Sequence, residues 1–125
     1  MIELARSTEP GPITTHSLAE RQDIPERYLE QLMVPLKRAG LIKSVRGFQG
    51  GYMLIKDARD ITAGDIIRAL EGPIAPVECV SEVNPEACEH ANNCTTKDLW
   101  LKMRDSIAEV LDSHTLADLA NIPKD

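Results

Sequence analysis

Three thiols, Cys79, Cys88 and Cys94, fall within residues 77–94, "VECVSEVNPEACEHANNC", and the chain has no other cysteine. Their C-x8-C-x5-C spacing, padded with Asn, Pro, Glu and Ser, is that of a loop. Soft thiolates gathered over so short a reach suit metal ligation or redox chemistry. A disulfide staple would leave one thiol unpaired and needs an oxidising compartment. No apolar run is long enough to span a bilayer, and the opening "MIELARSTEPGP" lacks the basic and apolar regions of a signal peptide. The expectation is a cytoplasmic protein with reduced thiols. A Cys3His zinc site fits less well, because close C-x2-4-C pairs are missing. Sensing by bare thiols needs a depressed thiolate pKa, which this acidic loop does not favour.

A second grouping is basic. Residues 27–59 hold Arg27, Lys37, Arg38, Lys43, Arg46, Lys56 and Arg59 against only Glu30 and Asp57, in a chain of net charge −6. Attraction to a phosphate backbone depends on the charge near it, so overall acidity does not exclude a nucleic-acid partner. On charge alone, an ordinary solvated basic face accounts for the island equally well. Enzyme chemistry finds no support. There is no Gly-rich P-loop, no His-Glu metal motif and no Ser/His/Asp set, and His16, His90 and His114 are scattered.

The elements that position these groups follow from periodicity. "THSLAERQ", residues 15–22, makes two helical turns with Leu18 and Ala19 facing inward. After a break at "DI", Pro25 suits the first position of a helix that runs to residue 39 and stops at Gly40. At about 100° per residue, Tyr28, Leu29, Leu32, Met33 and Leu36 share the core side. Arg27, Glu30, Gln31, Val34 and Arg38 share the opposite side. Pro35 removes one hydrogen bond and is expected to bend the helix near its end. Runs 41–45 and 52–55 flank a glycine-rich tip, Arg46 to Gly51, and predict a hairpin with an extended loop. Thr62 with Asp65 forms a capping pair for a fourth helix, which Gly72-Pro73 ends. Then comes the irregular, acidic cysteine loop. Leu99, Trp100, Met103, Ile107, Val110 and Leu111 line one stripe of a final long helix. That stripe must be buried against the chain's own core or a second copy. A short turn, "TLADLA", follows.

Helix, tight turn, helix and basic-tipped hairpin is the order of a winged helix-turn-helix, so the fold class is mainly α with a small β-hairpin wing (α+β). A helix of about 15 residues is about 22 Å long and can lie in a major groove about 12 Å wide. Arg27 and Gln31 can read guanine and adenine edges or hold phosphates, and Glu30 can accept from cytosine. Arg38 shares their face. The wing tip adds Arg46 and Gln49, with glycines that allow close backbone approach to the narrower minor groove.

More specific matches run through this frame: "YLEQL" at 28–32, "RAGL" at 38–41, "SVRG" at 44–47, "GGY" at 50–52 and "ITAGDIIRALEGP" at 61–73. On these the chain resembles, over nearly its whole length, the Rrf-two superfamily of bacterial regulators typified by IscR, NsrR and CymR. The resemblance implies a homodimer built on a long C-terminal dimerisation helix, double-stranded promoter DNA with a palindromic site as partner, and usually repression. It divides the chain into a winged helix-turn-helix DNA-binding domain at 1–72, a cysteine-bearing loop at 73–95, and a dimerisation helix with its C-terminal turn at 96–120. In cysteine-bearing members, three cysteines after the fourth helix hold an iron–sulfur cluster, often [2Fe–2S], and Cys79, Cys88 and Cys94 match that place. The signal would be iron–sulfur supply, nitric oxide or redox state. Two departures qualify the match. The first gap between cysteines is longer than in IscR- and NsrR-type regulators. The body of the chain resembles the CymR type, which generally lacks the triad. A cluster-free CymR-like regulator, or one sensing through thiols or zinc, therefore stands as the alternative. Where IscR-type proteins place a histidine ligand three residues after the last cysteine, this chain has Lys97. His90, inside the loop, is the candidate fourth ligand, set against the plain reading of a solvated loop histidine. The match begins at "MIELA", a point inside the first helix of the family, so the earlier turns of that helix expected from the resemblance are absent from this sequence.

Overall fold

Leu18, Ala19, Leu29, Met33 and Leu36 are spaced for helical burial, and all five are buried in the structure, a computed structural model describing residues 1–7, 11–47, 50–76, 80–82 and 95–121. Helix α1 spans Ile2–Arg6, α2 Thr15–Gln22 and α3 Glu26–Arg38. Strands β1 (Ile42–Val45) and β2 (Gly51–Leu54) form an antiparallel hairpin, followed by a single 3-10 turn at Ala58–Asp60. Helices α4 (Ala63–Glu71), α5 (Lys97–Asp112) and α6 (Leu116–Leu119) complete the order. The fold is mainly helical with a hairpin wing.

Local chemistry sets the boundaries. The Thr14 hydroxyl accepts the Ser17 N–H at 3.1 Å and caps α2, and Asp23, left-handed at φ 53°, closes it. Helix α3 starts one residue later than expected. Pro25 has an extended ψ of 140° and stands as the N-cap, a position whose N–H no helical bond requires. Pro35 lies inside α3 without ending it, and the helix continues to Arg38. Gly40, at φ 79°, then turns the chain while the Leu41 N–H returns to the Leu36 carbonyl at 3.1 Å. Leu29, Met33 and Leu36 form the buried face of α3, with Leu32 half-buried. Tyr28 departs from the expectation and is exposed. It sits at the margin of the apolar arc, about 100° around the helix from Leu29, and its phenol tolerates water better than its aliphatic neighbours.

In the wing, Ile42 pairs with Leu54 and Val45 with Gly51, so Gly51 belongs to β2 and not to the tip. Ile13 extends the hairpin by exchanging backbone hydrogen bonds with Tyr52 at 2.9 and 2.8 Å. A Cβ on Gly51 would overlap the Ile13 carbonyl, so this close approach requires glycine. Ile42, Ile61 and Leu116, all 0% exposed, bring the wing, the approach to α4 and α6 into one core. Thr62 with Asp65 and Thr115 with Asp118 are both complete capping boxes. The helix starts they cap lie side by side, with Ala63 N–H to His114 carbonyl at 2.8 Å and Leu116 N–H to Ile61 carbonyl at 2.7 Å. Arg6 Nε donates to the Ala120 carbonyl at 3.2 Å and ties α1 to α6.

Helix α5 behaves differently. It buries no residue fully. Leu99 and Val110 are 54% and 59% exposed, Met103 and Ile107 are also exposed, and Trp100 and Leu111 are half-buried. Among the described residues, the chain's own core does not cover the stripe. Among the described residues, no helix is long and apolar enough to cross a membrane.

Candidate nucleic-acid interface

The outward face of α3 presents Arg27, Glu30, Gln31 and Arg38, all exposed, and Arg46 is exposed just beyond β1. Among the described residues, Arg27, Arg38, Lys43 and Arg46 make no hydrogen bond or ion pair through their side chains. Their donors stay available for phosphate oxygens or base edges. Lys37 Nζ donates to Ser44 Oγ at 2.9 Å, which ties the last turn of α3 to β1. Gln49 lies outside the described residues. Two exposed neighbours are not among the site residues that the sequence points to. Tyr28 stands on the flank of the reading face, and Lys43 adds charge on the wing; the basic island was the available signal for Lys43.

A brace holds the two helices of the reading head. His16 Nδ1, in the first turn of α2, lies 2.6 Å from Glu26 Oε1 at the start of α3, and Nε2 lies 3.6 Å from Glu20. The hydrogen bond to Glu26 first, then the charges of Glu26 and Glu20, raise the His16 pKa above its ordinary value.

Cys79, Cys88, His90 and Cys94 lie outside the described residues, and no group of three metal-ligating side chains occurs among the described ones. The neighbouring stretch Val80–Glu82 is held at several points. Val80 and Ser81 are buried. Arg104 Nη1, from α5, donates to the Val80 carbonyl at 3.3 Å. Glu82 N–H donates to the Ile74 carbonyl at 3.2 Å, and its Oε2 accepts the Ile74 N–H at 3.3 Å. Arg68 of α4 grips Glu82 on one side and Asp112 of α5 on the other. A Cβ on Gly64 would overlap the Asp112 carboxylate, so a bare glycine lets α4 and α5 close around this junction. Hydrogen bonding to Arg68 lowers the pKa of both carboxyls, and the two carboxylates raise that of Arg68.

Cys79 and Cys94 adjoin Val80 and Thr95 in sequence, and their placement lies outside the described residues. Three soft sulfur donors fit an iron–sulfur group. Lys97 is the first residue of α5, and its ammonium has no lone pair to offer. His114 is engaged elsewhere, with Nδ1 2.8 Å from the Val110 carbonyl.

A helical head whose arginines on one helix and its wing are unpaired among the described residues, joined to a long helix whose apolar stripe those residues leave uncovered, defines a winged helix-turn-helix DNA-binding regulator. The chain belongs to the Rrf2 family, described as iron-dependent transcriptional regulator, whose match covers residues 1–122. It is 49% identical to the HTH-type transcriptional regulator CymR of Bacillus subtilis, over 97% of this chain and 81% of that protein. The solved structure of CymR, described as the global cysteine regulator of B. subtilis, has a TM-score of 0.78 at 47% identity, covering 98% of this chain and 88% of that one. T. potens IscR has a TM-score of 0.73 at 46% identity, covering 96% and 77%. The HTH-type transcriptional regulator IscR of Yersinia pseudotuberculosis is 38% identical over 97% of this chain and 72% of that protein. These relatives are transcriptional regulators and not enzymes.

Proposed function

We propose that this regulator acts in the cytoplasm as a homodimeric repressor on a palindromic promoter site and senses iron–sulfur supply, nitric oxide or redox state through Cys79, Cys88 and Cys94. In this reading residues 1–72 bind DNA, 73–95 sense, and 96–120 pair the subunits. Arg27, Glu30, Gln31 and Arg38 enter the major groove, while Arg46 and Gln49 of the wing contact the adjoining backbone or minor groove. The observation that carries the reading is the set of exposed arginines on α3 and the wing without partners among the described residues. The stripe on α5 supports pairing with a second copy, because four large apolar side chains left in water favour burial.

The three thiolates hold an iron–sulfur cluster, [2Fe–2S] being the form proposed, with His90 as candidate fourth ligand. The iron-dependent family description and the 46% identity with T. potens IscR support this. A bound cluster would supply a redox-active, charged centre. The similarity to CymR, described as a global cysteine regulator, favours a second reading, in which the same thiols sense oxidation without a cluster. Purification without oxygen, with iron, acid-labile sulfide and the visible spectrum measured per chain, separates the two. About two irons and two sulfides with a thiolate-to-iron band support the cluster. No iron, together with DNA binding that changes on thiol oxidation, supports the second reading. Neither response rejects sensing through this segment.

A further inference from the structure

We propose that Arg68 is the coupling residue between the cysteine segment and the DNA-binding head, an inference that rests on the sensing reading above. Its guanidinium bonds two carboxylates at once. Nε and Nη2 donate to Glu82 at 2.9 and 2.8 Å, and Nη1 and Nη2 donate to Asp112 at 2.7 and 3.1 Å. Bidentate pairing of this kind fixes orientation as well as position. Each end of the clamp leads somewhere different. Glu82 stands three residues after Cys79 and is also joined by two hydrogen bonds to Ile74, where the chain leaves α4. Asp112 is the last residue of α5, the helix with the uncovered stripe. Arg68 itself lies on α4, which packs on the recognition helix α3.

An isolated exposed ion pair contributes little to stability, and the worth of Arg68 does not lie there. It lies in making Val80–Glu82, α4 and the end of α5 one body. Displacement of the cysteine segment withdraws Glu82, leaves Arg68 with Asp112 alone, and lets α4 and α3 settle differently against α5. Because α5 carries the stripe proposed to pair the subunits, that resetting changes the relation between two reading heads.

The test compares wild type with Glu82→Gln, which keeps the side-chain length but loses the charged pair, and Arg68→Lys, which keeps the charge but not the fork. Each full-length protein is titrated with a duplex selected by the wild type from a random-sequence pool. The titration is made in two states of the cysteine segment: reduced and metal-free, and after reconstitution with ferrous iron and sulfide or, where no iron is retained, after oxidation with diamide. The readout is the ratio of Kd values between the two states, in which the altered charge of a variant cancels. Wild type is expected to show a ratio of about tenfold, and both variants a ratio within about twofold of unity, with wild-type thiol content. Variants that keep the wild-type ratio, whatever their absolute affinity, overturn the coupling and leave sensing intact. A wild-type ratio of one under both treatments overturns the sensing reading and the coupling with it.

Discussion

The reading face on α3 and the wing, and the junction of α4 and α5, use the same side chain in opposite ways. Arg27, Arg38 and Arg46 are exposed and make no side-chain bond among the described residues. Arg68 makes four hydrogen bonds to two carboxylates, and Arg104 bonds both Asp105 and the Val80 carbonyl. A guanidinium whose donors are occupied by its own chain sets the relation between elements. One whose donors are open is placed to meet a phosphate or a base edge. The apolar residues divide in the same way. The arc on α3 is covered by its own chain, while the stripe on α5, of comparable helical spacing, is left exposed among the described residues. In both cases the sequence pattern is alike and the partner decides the role.

The largest effect is expected from reversing the character of the stripe. Ile107→Glu with Val110→Glu sets unpaired charges into the proposed seam, at about 3–5 kcal/mol for each charge left buried and unpaired. Analytical ultracentrifugation should then report monomers, and affinity for a palindromic duplex should fall by two orders of magnitude or more. An unchanged dimer mass would remove α5 from the interface. Gly51→Ala tests the head alone. Its Cβ meets the Ile13 carbonyl, so urea unfolding should show a loss of about 2–3 kcal/mol, and a midpoint equal to wild type would contradict the close approach.

Arg46→Ala should weaken DNA binding by about 1–3 kcal/mol without shifting the unfolding midpoint. Binding unchanged at matched salt would take Arg46 out of the site. Smaller effects come from pH. Arg68 holds the Glu82 and Asp112 carboxyls below their ordinary values. Their contribution is therefore present above the unfolded values of about 4 and is lost as pH falls through the depressed folded ones. Glu82→Gln should reduce the loss of stability on acidification. His16 has the opposite sign. Its pKa is raised chiefly by Glu26, so its contribution is full below about pH 6.5 and disappears as pH rises through the higher folded value. Thermal unfolding across neutral pH should be slightly flatter for His16→Gln than for wild type.

What could be read in advance was local. The Thr62–Asp65 cap, the end of α3 at Gly40 and the inward Leu18 and Ala19 depend on residues a few positions apart, and each appears in the structure. The exposure of Arg27, Glu30, Gln31 and Arg38 follows from helical spacing in the same way. Tyr28 is exposed although its spacing puts it with the core, because spacing cannot say how wide a face its neighbours cover. Leu116 reaches the core of the head through pairing with Ile61, far off in sequence, and Arg68 finds Asp112 at a separation of 44 residues. Such partners leave no trace in a local pattern. Nor does the cysteine spacing name a fourth ligand, since the position expected for a histidine is the ammonium-bearing Lys97.

The contrast between open and occupied arginines is tested most directly by the salt dependence of DNA binding. Wild type is compared with the triple variant Arg27→Ala, Arg38→Ala, Arg46→Ala on one duplex. The account predicts that the slope of log affinity against log salt becomes shallower by about 0.9 for each phosphate contact removed, with the unfolding curve unchanged. An identical slope and affinity in the variant would contradict it and place the DNA contact on another surface.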